Sequence, residues 1–187
     1  MDVFDLYNMD VFDTSLQKTC CLVDLLSYRL FYYLCRLKIV YKVMFHLTKI
    51  FHFEAAHALK GYDGRCRNIH GHSYEMRVTI KGNPIMDDDN PKNGMVMDFG
   101  DLKNIVNEEI INHYDHAFII NHQMPEDFIE EVKRHYDRVI IVPFQPTTEM
   151  MLLDFSKKIK RRLPEGIQLV KIFLKETEGS FAEWIEE

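Results

Sequence analysis

The sequence is short of cysteine, of net positive charge and of long uninterrupted apolar runs, and each shortage excludes a class of protein. Its cysteines are Cys20, Cys21, Cys35 and Cys66, with only Cys66 beyond the N-terminal stretch. That is no disulfide framework, and it fits a reducing, cytoplasmic setting. A formal net charge of -6 gives no global attraction to nucleic acid. An anionic ligand would need a local basic patch. The Leu-, Tyr- and Cys-rich run from Cys20 to Val43 is interrupted by Asp24, Arg29, Arg36, Lys38 and Lys42, so no apolar span is long enough to cross a bilayer. The first residues carry acid rather than base, which argues against a signal peptide. Neither a nucleic acid nor a membrane is an expected partner.

What is present is an ordinary composition: 187 residues, 47% apolar and 28% charged, enough for one domain with a sizeable core. Residues 1–43 read differently from the rest. Met1-Asp2-Val3-Phe4-Asp5 recurs as Met9-Asp10-Val11-Phe12-Asp13, an echo with no evident chemistry. The stretch reads as an appended segment of unknown role upstream of Met44; an amphipathic membrane or partner helix, or a helix packed on the domain, are the other readings. The domain proper is expected over 44–187.

From Met44 the pattern tightens. Phe45 to Phe53 reads as a strand leading into a small-residue turn at Ala55-Ala56-His57. His72 to Lys81 alternates, with Tyr74, Met76, Val78 and Ile80 on one face and Glu75, Arg77, Thr79 and Lys81 on the other, a half-buried strand. Asp98 can cap a helix from about Gly100 to His113. His122 to Arg138 is acidic and helix-like or irregular, and Val139 to Val142 is a short strand. Thr147 or Thr148 caps a second helix from Glu149 to Arg162, ended by Pro164 and Gly166. Val170 to Glu176 and Phe181 to Trp184 close the pattern as strands. This order predicts an α+β fold, an antiparallel four-stranded sheet with two helices on one face.

The densest chemistry lies in Cys66-Arg67-Asn68-Ile69-His70-Gly71-His72. On a strand, His70 and His72 point the same way, and Gly71 keeps bulk off the backbone between them. With His57 as a third nitrogen ligand and no fourth, the set matches the pattern of a catalytic zinc site with an open position. His46, His52, His122 and His135 read as surface or packing residues.

The segments Phe53 to His57, Cys66 to His72, Gly94-Met95-Val96-Met97-Asp98-Phe99, Asp115-His116, Pro146 to Glu149 and Glu176-Thr177 occur together and in order. From about Met44 to Trp184 the chain resembles the 6-pyruvoyltetrahydropterin synthase / 6-carboxytetrahydropterin synthase family. A cysteine four residues before the His pair is closer to the bacterial, queuosine-pathway branch than to the animal pyruvoyl enzymes, where the gap is longer. Residues 1–43 have no counterpart.

The resemblance implies a tunnelling fold (T-fold), in which subunits of a homo-oligomer join their sheets and build active sites at their interfaces. It implies a zinc-dependent carbon–carbon lyase acting on 7,8-dihydroneopterin triphosphate, with acetaldehyde and triphosphate released and 6-carboxy-5,6,7,8-tetrahydropterin formed. The alternatives are the 6-pyruvoyl synthase reaction, which stops before cleavage, and a non-catalytic zinc-stabilised pterin-binding protein. Within that frame His57, His70 and His72 hold zinc and Cys66 is the general base, a thiol that needs help to be a thiolate at neutral pH. Asp115 and His116 form a proton-handling pair. Neighbours on one strand do not readily hydrogen-bond through their side chains, so the Asp would act across a turn or on another subunit. Glu176 anchors the pterin by accepting two adjacent N–H groups. Thr147, Thr148 and Glu149 shape the other side of the pocket, and helix capping describes them equally well. Lys49, Lys60, Arg65 and Arg67 are the local basic supply for a triphosphate. Trp184 reads as core.

Because both the strand pattern and the resemblance start near Met44, a chain beginning at Met44 is expected to fold and keep full turnover. Circular dichroism and turnover of that truncated protein check this, and loss of folding would mean the preceding segment packs on the domain.

Overall fold

The side-chain alternation of the first strand decides where the core lies. The structure, a computed structural model, describes residues 44–187. The tandem echo and the readings of the Cys20 to Val43 run fall outside the described residues. Strand β1 (Phe45–His57) turns Phe51, Phe53, Ala55 and His57 inward and His52 and Glu54 outward. It pairs antiparallel with β2 (His70–Gly82), whose Tyr74, Met76, Val78 and Ile80 point the same way. Val78, Thr79 and Ile80 are buried in succession because the β2 pairing with β5 (Gln168–Thr177) slips at Thr79/Ile80, a bulge that breaks the period of two.

Helix α1 (Phe99–Val106) starts where the Asp98 carboxylate accepts from the Gly100 amide at 2.6 Å. It continues through a wide turn over Asn107–Ile111 into Asn112–Tyr114. Leu102, Val106, Ile110 and Tyr114 are all buried. Their four-residue spacing overshoots a 3.6-residue period, and the wide turn keeps the last two in line with the first two. Helix α3 (Thr148–Lys160) is capped by the Thr147 hydroxyl and buries Met151, Leu152, Phe155 and Ile159. Both helices pack on the inner side of the sheet in one core. Phe53 and Tyr74 stack with centroids 4.8 Å apart, and Phe155 meets Tyr114 edge-on at 4.8 Å. Each such buried side chain contributes roughly 1.5–3 kcal/mol relative to exposure. Trp184 packs against this core beneath Lys160, as expected of a core residue.

The α+β class and the helix-covered face agree with the sequence, but the four-stranded antiparallel sheet does not. Among the described residues the sheet has six strands in the order β4-β3-β1-β2-β5-β6 and is mixed. β3 (Ala117–Asn121) runs parallel to β1 and to β4 (Val139–Val142), while β2, β5 and β6 (Ser180–Ile185) form an antiparallel meander. A third helix, α2 (Glu126–His135), bridges β3 and β4. The missed strand, Ala117-Phe118-Ile119-Ile120-Asn121, is five residues long and buried almost throughout, so it shows no alternation to read. The expected turn at Ala55-Ala56-His57 is also overturned: β1 runs straight through it, because Ala55, Ala56 and His57 are paired on both sides, with β2 and with β3. Among the described residues no helix is long and apolar enough to cross a membrane.

Candidate metal centre and active site

The β1–β2 register places His57 directly opposite His70 and Ala55 opposite His72. All three imidazoles therefore lie on the inner face, at the end of the core. Their ring centroids are 4.5, 5.2 and 5.1 Å apart, and their ligand atoms all lie within 4.8 Å of one another. Zinc–nitrogen bonds of about 2.1 Å span ligand atoms up to about 4 Å apart, so small ring rotations close the site. Gly71 lets the strands approach: a Cβ there would stand 3.1 Å from the Ala55 carbonyl oxygen.

The donor chemistry fits a metal. The His57 Nδ1–H donates to the Pro146 carbonyl at 2.6 Å and the His70 Nδ1–H to the Asn68 carbonyl at 2.8 Å. A carbonyl only accepts, so both rings carry their hydrogen on Nδ1 and present a bare Nε2. The Glu176 backbone carbonyl lies within reach of the His72 ring. The Nε2 atoms of His57 and His72 are buried with no protein partner. Orienting backbone acceptors behind unpartnered Nε2 atoms is the arrangement of metal-bound histidine. Burial lowers the pKa of His57 and of His72, outweighing the nearby Glu176 carboxylate, and keeps both rings neutral, as a ligand must be.

Glu176 projects from β5 on the same face as the imidazoles. Tyr74, buried beside it, has a hydroxyl with no hydrogen bond of good geometry. Burial, then the Glu176 carboxylate, raise the Tyr74 pKa far above its ordinary value, so the phenol keeps its hydrogen. In the sequence Tyr74 reads only as a core position; its signal was a phenol two residues after a candidate metal ligand.

Cys66 is a free, half-buried thiol on a short turn, Arg65–Arg67, and its carbonyl accepts from the Leu59 amide at 2.9 Å. A clamp that the sequence did not reveal holds this loop to the segment before α3. Gln145 donates to the Lys60 carbonyl at 2.7 Å and accepts from the Lys60 amide at 3.1 Å and from Asn121 at 3.0 Å.

Asp115 and His116 meet across a turn, one of the two arrangements that the sequence left open. His116 precedes β3 in a left-handed conformation, φ 58°, which swings its ring back until Nδ1 lies 3.0 Å from Asp115 Oδ1. Asp115 also accepts from the Glu54 amide at 2.9 Å. That amide first, and the His116 ring after it, hold the Asp115 carboxyl below the usual carboxylate range. His116 is exposed and lines a groove of about 850 Å³ with Glu54, Ser73, Tyr136 and Arg138. Glu54 and Ser73 alternate away from the imidazoles, so this groove opens on the opposite side of the sheet.

Thr147 caps α3, Thr148 is buried and Glu149 is an exposed first-turn acid. Capping accounts for Thr147, and Pro146 ties the same segment to His57. Of the basic residues, Lys60 bonds the Gln123 carbonyl, Lys49 lies over the Phe99 ring, and Arg65 and Arg67 are exposed. His46, His52, His122 and His135 are exposed, and His135 pairs with Glu131.

A helix-backed α+β sheet with three converging imidazoles at the end of its central hairpin defines a tunnelling-fold protein with a candidate metal centre. The chain belongs to the 6-pyruvoyl tetrahydropterin synthase family, whose model matches residues 46–187. It is 35% identical over 145 residues to the 6-carboxy-5,6,7,8-tetrahydropterin synthase of Haemophilus influenzae, covering 76% of this chain and 100% of that one. It is 33% identical over 164 residues to the enzyme of the same name from Aquifex aeolicus, covering 75% and 98%. The fold is also similar to an uncharacterized protein of Wolinella succinogenes, with a TM-score of 0.65, 20% identity and 78% and 100% of the two chains covered. It is similar again to the 6-pyruvoyl tetrahydropterin synthase of Caenorhabditis elegans, with a TM-score of 0.55, 22% identity and 78% and 97% covered.

Replacing His70 by Ala is expected to take bound metal well below one ion per subunit by elemental analysis; full occupancy would remove His70 from the site. A pH dependence follows from the lowered imidazole pKa values. The folded protein binds fewer protons at His57 and His72 than the unfolded chain does. Their contribution to stability is therefore complete above the ordinary imidazole value of about 6.5 and lost as pH falls below it. The melting temperature of the metal-free protein should drop below about pH 6.5, and metal occupancy with it; a flat profile through that range would contradict the burial argument.

Proposed function

We propose that this protein converts 7,8-dihydroneopterin triphosphate to 6-carboxy-5,6,7,8-tetrahydropterin, releasing acetaldehyde and triphosphate, as a step of queuosine biosynthesis in the cytoplasm. The observation that carries this reading is the 35% identity across the whole length of the Haemophilus influenzae synthase. The preformed histidine cluster supports it, because its three imidazoles converge and need only small ring rotations to take a metal.

His57, His70 and His72 would hold zinc, which when bound supplies Lewis acidity toward substrate oxygens. Glu176 accepts the adjacent N–H groups of the pterin ring and fixes its orientation. Thr147, Thr148 and Glu149 border the pocket from the start of α3. Cys66 takes a proton from the substrate side chain, and His116, steadied by Asp115, moves a second one. His116 faces the groove on the far side of the sheet, which favours a homo-oligomer in which the pair serves a neighbouring subunit's site. Residues 1–43 are an appended segment outside the catalytic domain 44–187.

Incubation with 7,8-dihydroneopterin triphosphate and mass analysis of products tests the reaction. Acetaldehyde and the carboxy pterin are expected; a pyruvoyl pterin would move the assignment to the other branch of the family, and no consumption of substrate would leave a binding protein.

Replacing Cys66 by Ser should leave metal content and pterin binding in place while turnover falls by roughly two to four decades, the contribution of a positioned acid–base group. An unchanged rate in metal-loaded Cys66→Ser protein would take the thiol out of the proton transfers.

A further inference from the structure

We infer that Tyr74 is a positioning residue for ligand recognition: its phenolic O–H holds the Glu176 carboxylate in the plane that receives the pterin ring. This rests on the reading of Glu176 as the pterin anchor and extends it to a residue that neither metal nor proton chemistry requires.

Tyr74 is 1% exposed. Its ring is fixed on one side by stacking on Phe53 at 4.8 Å. On the other it is fixed by the edges of His72 at 5.5 Å and His57 at 6.4 Å. So rigid a ring points its hydroxyl in one direction, yet the hydroxyl has no partner of good geometry. A buried hydroxyl left alone is a net cost to the fold, so a phenylalanine would serve packing better. The β2–β5 register identifies the missing partner. Met76 faces Leu174, the pairing ends with Glu75 facing Lys175, and one residue beyond it the Tyr74 and Glu176 side chains come within reach of each other. Cross-strand neighbours on one face have Cβ atoms about 5 Å apart, within reach of both long side chains.

The stereochemistry of the carboxylate makes the arrangement productive. A carboxylate offers about four lone-pair sites. One bond from Tyr74 leaves enough for two adjacent pterin N–H donors and removes the rotation of the acid about its terminal bond. Holding the acid in its bound geometry lowers the entropy cost of binding. The inference needs only the phenol's hydrogen, not its ionisation.

The test is Tyr74→Phe in the full-length protein, which keeps the ring and deletes the oxygen. Four quantities are measured beside the wild type: metal content, melting temperature, the Kd of neopterin as a ring probe that carries no triphosphate, and kcat and KM for the triphosphate. The expected result is unchanged metal content, a melting temperature lowered by a few degrees at most, and a Kd for neopterin about tenfold weaker, the order of one hydrogen bond to a charged group. KM should rise with the Kd and by more than kcat falls. An unchanged Kd in a metal-loaded, stable variant overturns the inference and leaves the pterin reading standing. A lower metal content with unchanged ring binding per loaded subunit also overturns it and assigns the hydroxyl to the metal centre. Failure of the wild type itself to bind neopterin overturns the pterin reading and this inference with it.

Discussion

The pairing of His57 with His70 across the β1–β2 hairpin is the constraint on which the site depends. A slip of one residue in that register would turn His70 and His72 to the outer face while His57 stayed inside. The register is held by the core rather than by the site. Phe53 faces Tyr74 and Phe51 faces Met76 farther along the same strands, all buried. The orienting acceptors come from distant parts of the chain: Asn68 from the loop before β2, Pro146 from the segment before α3, and Glu176 from β5. A centre assembled from four segments forms only when the whole sheet and α3 are in place.

The positions whose chemistry is local were legible in the sequence. His70-Gly71-His72 on an alternating strand placed two of the three imidazoles of the candidate metal centre on one face, and the short strand Val139–Val142 was placed to the residue. What was hidden depends on long-range contact. The parallel strand Ala117–Asn121 carries no alternation because both its faces are covered. The Gln145 clamp on Lys60 joins residues 85 positions apart and has no signature in either segment. The Asp115–His116 contact needed a left-handed backbone at a non-glycine residue, which pattern reading excludes by default.

That conformation has a plain support. The His116 amide donates to the Glu54 carbonyl, and Asp115 accepts from the Glu54 amide, so both backbone groups of Glu54 are spent holding the turn. Strain at a non-glycine residue persists only where its surroundings over-determine it. Here two bonds to one strand residue, followed by the pairing of Ala117 with Ala55, leave the turn no alternative. The result is an exposed imidazole whose orientation is set by the sheet rather than by its own rotamers.

Without an ion the three imidazoles would be costly for the fold that carries them. Two Nε2 atoms and one phenol are buried without partners, and each such group costs about 1–3 kcal/mol. A core of this size tolerates the penalty because the groups sit at its end, beyond the stacked Phe53 and Tyr74 rings, where β1 and β2 emerge into the loop that bears Cys66. An ion that satisfies the nitrogens would return that cost as binding energy, since ligands already neutral and aimed lose little on coordination. The buried Nε2 atoms are thus the local departures from good packing that a bound ion would account for, and the phenol beside them is the one that Glu176, rather than the ion, would satisfy.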